Sequence, residues 1–113
     1  DKDGNLAVVA VMFEEGAEAN AGLKQFWPQM PKEADQTVAL TDTVDVSALL
    51  PANRDYYRFN GSLTTPPCTE GVVWLVMKQP VVATAGQVKI FADIMGHPNN
   101  RPVQMVNARP VLK

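Results

Sequence analysis

The stretch Asn60-Gly61-Ser62-Leu63-Thr64-Thr65-Pro66-Pro67-Cys68-Thr69-Glu70-Gly71-Val72-Val73-Trp74 decides how the rest of the chain reads. Two adjacent hydroxyl residues precede two prolines, and an apolar run over residues 71–77 follows. Consecutive prolines lack N–H donors and fix φ, so residues 64–67 are predicted to be irregular. They form a stiff bend that holds Leu63, Thr64 and Thr65 in one loop conformation. Preset geometry of this kind is what a binding or catalytic shell needs. A threonine hydroxyl has one proton and two lone pairs, so it can give direction to a hydrogen-bond chain. Residue types alone equally admit a plain rigid loop whose threonines cap backbone groups.

Outward from the bend, residues 71–77 (GVVWLVM) read as a buried strand, and Tyr56-Tyr57-Arg58-Phe59 as another that ends in an Asn60-Gly61 turn. Residues 6–13 (LAVVAVMF) are a continuous apolar run of strand length, predicted to be buried on both faces. Apolar residues recur at helical spacing over 17–27, where Pro28 stops the helix. Residues 29–43 read as loop with a short strand at 37–40, and residues 46–50 as one helical turn closed by Pro51. Residues 79–83 are a short extended segment.

Thr84 and Gln87 have capping-box spacing before a helix that should bury Val88, Phe91, Ala92 and Met95. Gly96 follows as the residue that ends it, with Pro98 beyond. Residues 99–102 are a turn, and residues 103–106 a last short strand. The class is therefore α+β, mostly β, with short surface helices. Two strands that want cover on both faces are a heavy demand for a chain this short, which suggests an incomplete piece.

The chain has 113 residues, with 10 basic and 12 acidic side chains and a formal net charge of −2. One small domain fits that length. The charge balance leaves no basic footprint for nucleic acid. The longest apolar run is shorter than the roughly 18 residues of a helical membrane span. Val, Leu, Ile and aromatics are too frequent for simple disorder. The polar opening Asp1-Lys2-Asp3-Gly4-Asn5 has no leader pattern and no initiator Met, so a processed or excised piece is expected.

Local chemistry is sparse. His97, the single histidine, lies between Gly96 and Pro98 and reads as an exposed loop residue. No histidine cluster can therefore bind a metal within the chain. Cys68, the single cysteine, has no neighbouring group that would lower its pKa. It is either a small buried hydrophobe or half of a disulfide with another segment. Asp42, Asp45 and Asp55 lie in polar segments and read as solvated surface.

The segment from Tyr57 to Trp74 resembles the α-class carbonic anhydrases, following their Y-x-(Y/F)-x-G-S-L-T-T-P-P-C-x-E-x-V-x-W signature. The resemblance extends to Asp3-Gly4-Asn5-Leu6-Ala7-Val8-Val9, to Leu49-Leu50-Pro51, and to Asn100-Arg101-Pro102-Val103-Gln104. It covers essentially the whole chain, residues 1–113, as the C-terminal half of one such domain. The fold it implies is part of a large, central, twisted mixed β-sheet completed by a missing N-terminal half. The activity it implies is zinc-dependent reversible hydration of CO2 to bicarbonate and a proton, inhibited by sulfonamides. The three Zn²⁺-binding histidines are expected upstream, with none in this chain. Activity then needs the N-terminal half, as a separate chain or as another part of the protein.

By the same resemblance, Thr64 is the catalytic gatekeeper. Its hydroxyl donates to an upstream glutamate, so it accepts from zinc-bound hydroxide and steers a lone pair toward CO2. Its backbone N–H is placed to contact CO2, bicarbonate or anions, and Thr65 to contact bicarbonate or solvent. Val8, Leu63, Val72 and Trp74 match the apolar wall around CO2; residue types alone would make Val8, Val72 and Trp74 ordinary core. The resemblance implies a cis Pro66–Pro67 bond and a disulfide from Cys68 to the N-terminal half. That pairing suggests a periplasmic or secreted parent. Arg101 is assigned a structural role, tying the C-terminal stretch to a carboxylate. The implied partners are the N-terminal half, CO2 and bicarbonate, with a homodimer as a further assembly and neither nucleic acid nor membrane. Two other readings are a non-catalytic carbonic anhydrase-like binding module and a stand-alone fold of 113 residues.

Overall fold

A computed structural model describes residues 2–113. Its elements in chain order are β1 (Leu6–Ala10), β2 (Phe13–Glu15), α1 (Ala21–Phe26), β3 (Tyr56–Ser62), β4 (Glu70–Met77), β5 (Val81–Ala83) and α2 (Ala85–Met95). Two 3-10 turns, Trp27–Gln29 and Val46–Leu49, sit between α1 and β3. The apolar run ending in Met77 is the middle strand of a mixed sheet ordered β1-β4-β3. β1 runs parallel to β4, and β3 antiparallel to it.

Residues paired across strands share a face. Leu6 lies opposite Val72, and Val8 opposite Trp74. On the other side of β4, Gly61 is opposite Val72 and Phe59 opposite Trp74. Val8, Val72 and Trp74 therefore stand on one sheet face, with the Phe59 ring stacked on Trp74 at 6.4 Å.

The run 6–13 is not one strand. It breaks after Ala10, and Phe13–Glu15 pairs in parallel with Val81–Ala83 in a separate two-stranded sheet. Nor is it buried on both faces, since Leu6 and Val9 are 44% and 54% exposed. Among the described residues the buried apolar set is small: Leu23, Val72, Met77, Val81 and Ala83. The accessible surface is 8620 Å², against about 6100 Å² for a compact protein of this mass. The radius of gyration is 15.9 Å, against about 13 Å for a compact domain. Sheet and helix faces that a layered fold would cover are bare here.

Other departures have local causes. α1 starts only at Ala21, because Asn20 caps it by accepting from the Gly22 N–H at 2.7 Å. Pro28 continues into a 3-10 turn, in an early position where no N–H is needed. Residues 37–40 are irregular rather than a strand. Asn60 and Gly61 belong to β3, and the turn expected there is a register shift between Gly61 and Ser62 instead. Residues 103–106 form no strand, and Val103 is 99% exposed. The sheet edge pairs with Leu112 instead, which exchanges two backbone hydrogen bonds with Arg58. The Thr84–Gln87 capping box forms, and Gly96 ends α2 at φ 69°. The face of α2 predicted to be buried is open, with Val88 49% and Phe91 42% exposed.

Candidate functional site

The bend between β3 and β4 is closed at its base and stiff at its tip. The Leu63 N–H donates to the Thr69 carbonyl at 2.9 Å, and the Cys68 N–H to the Thr65 carbonyl at 2.8 Å. The Pro66–Pro67 bond is cis. Cys68 takes φ 56° and Gly71 φ 83°, so the chain turns sharply on both sides of Thr69. At Gly71 this favours glycine, which has no Cβ to clash.

Ser62 fixes the entrance. Its carbonyl accepts from Trp74 Nε1 at 3.0 Å, and its hydroxyl donates to the Leu63 carbonyl at 3.0 Å. The same hydroxyl accepts from the Arg101 guanidinium at 3.2 Å. Gly61 makes the Trp74 approach feasible, since a Cβ there would lie 3.0 Å from Trp74 Cδ1.

The sequence-predicted residues fall into two groups. Val8, Val72 and Trp74 come together on one sheet face, with Val72 fully buried and the other two half-buried. Leu63, Thr64 and Thr65 stand on the loop leaving that face beside Gly61 and Val72. Leu63 is half-buried, and both threonines are exposed. Among the described residues the Thr64 hydroxyl has no hydrogen-bond partner. Cys68 is a half-buried free thiol.

Arg101 makes no ion pair with a carboxylate among the described residues; its side chain bonds to Ser62. The C-terminal stretch is tied down by Arg109, whose guanidinium donates to the carbonyls of Asn60, Met105 and Val106. Spacing gave no signal for either, because both contacts cross from one end of the fold to β3. Arg101 and Glu70 line a cleft of about 450 Å³ beside Ser62.

No group of three His, Cys, Asp or Glu among the described residues could hold a metal ion. His97 is exposed, with Nδ1 3.0 Å from the Pro98 carbonyl oxygen. The described residues by themselves therefore do not fit a zinc site. What they offer is an exposed threonine on a stiff loop that joins the two strands β3 and β4.

The sequence pattern of the eukaryotic-type carbonic anhydrases matches residues 1–113. A carbonic anhydrase from Pectobacterium carotovorum is 50% identical over 110 residues, covering 97% of this chain and 45% of that protein. One from Neisseria gonorrhoeae is 46% identical over 113 residues, covering 100% of this chain and 44% of that protein. The solved α-carbonic anhydrase of Thermovibrio ammonificans, in complex with the inhibitor sulfanilamide, superposes with a TM-score of 0.94 at 51% identity. That superposition covers 100% of this chain and 50% of the other. The chain thus spans about half the length of the relatives it matches.

Proposed function

The chain belongs to the eukaryotic-type carbonic anhydrase family, and from that premise we propose that it forms part of an enzyme hydrating CO2 to bicarbonate. Its share of the work is to orient the attacking oxygen and to wall the CO2 pocket. Zinc, held by residues outside this chain, supplies the Lewis acidity that makes water nucleophilic at neutral pH.

Thr64 is assigned the orienting role. Its hydroxyl has a single proton. Once that proton is committed to a carboxylate outside the chain, only lone pairs remain to meet the nucleophile. The nucleophile must then donate its own proton to Thr64, which turns a lone pair toward CO2. The Thr64 N–H is assigned to an oxygen of bicarbonate or a competing anion, and Thr65 to the solvent side. Val8, Leu63, Val72 and Trp74 are assigned to the wall, since an uncharged linear substrate needs water excluded more than polar contacts.

One observation supports this reading: Thr64 is exposed on a loop closed by the Leu63–Thr69 bond, and its hydroxyl has no partner among the described residues. Cys68 is assigned to a disulfide with the remainder of the protein, in a periplasmic or secreted setting. A homodimer is the further assembly in this proposal. Metal analysis and stopped-flow CO2 hydration on the intact protein test the reading. We expect about one zinc per molecule, turnover of CO2 and inhibition by sulfanilamide. A metal-free, inactive intact protein would favour the non-catalytic binding module.

A further inference from the structure

Resting on that reading, we propose that Arg101 is a positioning residue that aims the Thr64 backbone N–H, acting through the Ser62 hydroxyl. The link is a chain of two hydrogen bonds between residues 39 positions apart and the loop: Arg101 donates to Ser62 Oγ, and Ser62 Oγ donates to the Leu63 carbonyl. The Leu63 carbonyl and the Thr64 N–H belong to one peptide unit. That unit is trans, since the cis bond lies at Pro66–Pro67. In a planar trans unit the C=O and N–H point in opposite directions. Whatever fixes the Leu63 carbonyl therefore fixes the direction of the Thr64 N–H.

Among the described residues only one lock acts on that carbonyl. The Leu63 N–H, bonded to Thr69, belongs to the preceding peptide unit. The Trp74 bond holds the Ser62 carbonyl, again in the preceding unit. Without the Ser62 hydroxyl, the Leu63–Thr64 unit loses its only bond within the described residues. The charge on Arg101 matters because a cationic donor polarises the hydroxyl and strengthens the bond it donates onward.

The test uses the intact protein with Ser62→Ala, Arg101→Gln and the double variant, read as kcat and KM for bicarbonate dehydration. We expect each single variant to raise KM about fivefold to tenfold, the scale of one charge-assisted hydrogen bond. We expect kcat to fall by less than KM rises, and the double variant to be no worse than either single one. A merely structural role would lower the melting temperature and the active fraction while leaving KM unchanged. An unchanged KM in either variant, or additive effects in the double variant, would overturn the assignment. If Arg101→Gln does not fold, Ser62→Ala alone decides, because it removes only a hydroxyl. Thr64→Val separates the two levels. If it leaves turnover intact, the functional reading fails; if it abolishes turnover while Ser62→Ala keeps KM, only the Arg101 assignment fails.

Discussion

Gly61 lies directly under the indole of Trp74: a Cβ built on it would sit 3.0 Å from Cδ1 and 3.3 Å from Nε1. The same indole donates to the Ser62 carbonyl, so the strand, the bulge and the loop entrance share one contact. Gly61→Ala should push the ring away and weaken that bond. We expect a loss of about 1–3 kcal/mol of stability in the intact protein, the usual range for overpacking. Denaturant unfolding followed by tryptophan emission checks it; an unchanged midpoint would show that the ring has room to move.

Gly22 has a similar place at a second contact. A Cβ there would meet the backbone of Ala48 and Leu49 at 2.8 Å, and backbone cannot rotate aside as a side chain can. Gly22→Ala should separate α1 from the 3-10 turn at Val46–Leu49. We expect a cost of about 1–3 kcal/mol. This runs against the helix propensity of alanine, which alone would stabilise an exposed helical site. A midpoint equal to or above that of the parent would refute the close packing.

These two glycines mark what was legible in the sequence and what was not. Local devices read well: the Thr84–Gln87 capping box, Gly96 at the end of α2, and the strand through Val72 and Trp74 need only neighbours in sequence. Features set by distant partners did not. Residues 6–13 look uniform, yet Phe13–Glu15 leaves for another sheet because Val81–Ala83 offers it an edge. Asn60-Gly61 has turn chemistry, but pairing with β4 under Trp74 keeps both residues in the strand. Residues 103–106 have β-propensity but no partner strand among the described residues. At the site, the motif marked the stiff loop with its cis Pro66–Pro67 bond, whereas the Arg101–Ser62 link and the Arg109 tether had no local trace.

Asp45 provides a pH readout remote from the site. Its carboxyl is held below the ordinary value of 3.8, first by the Ser47 hydroxyl and then by the Ser47 N–H, both donating to it. A depressed carboxyl pKa stabilises the fold above the unfolded value, and that contribution is lost as pH falls through the folded value. Full exposure keeps the effect small. We expect a carboxyl-carbon NMR titration to show Asp45 ionising at lower pH than a free aspartate, and Ser47→Ala to move it back up. Titration at the ordinary value in the parent would contradict the cap.

Thr84→Ala should fray the start of α2. The substitution leaves the Gln87 N–H without the Thr84 hydroxyl that accepts from it at 3.2 Å. Loss of such a cap typically costs about 1 kcal/mol. Amide hydrogen exchange at Gln87 and Val88 checks it: faster exchange there, with β4 unchanged, is the expected pattern. Equal exchange across both elements would mean that the cap carries little of the helix's stability.

The most direct measurement is the CO2 hydration rate of the intact protein with Thr64→Val, a near-isosteric change that removes only the hydroxyl's hydrogen bonds. We expect kcat/KM to fall by about 30- to 1000-fold, equivalent to about 2–4 kcal/mol of barrier, with zinc content unchanged. A variant that turns over CO2 at the parent rate with its metal in place would contradict the role given to Thr64.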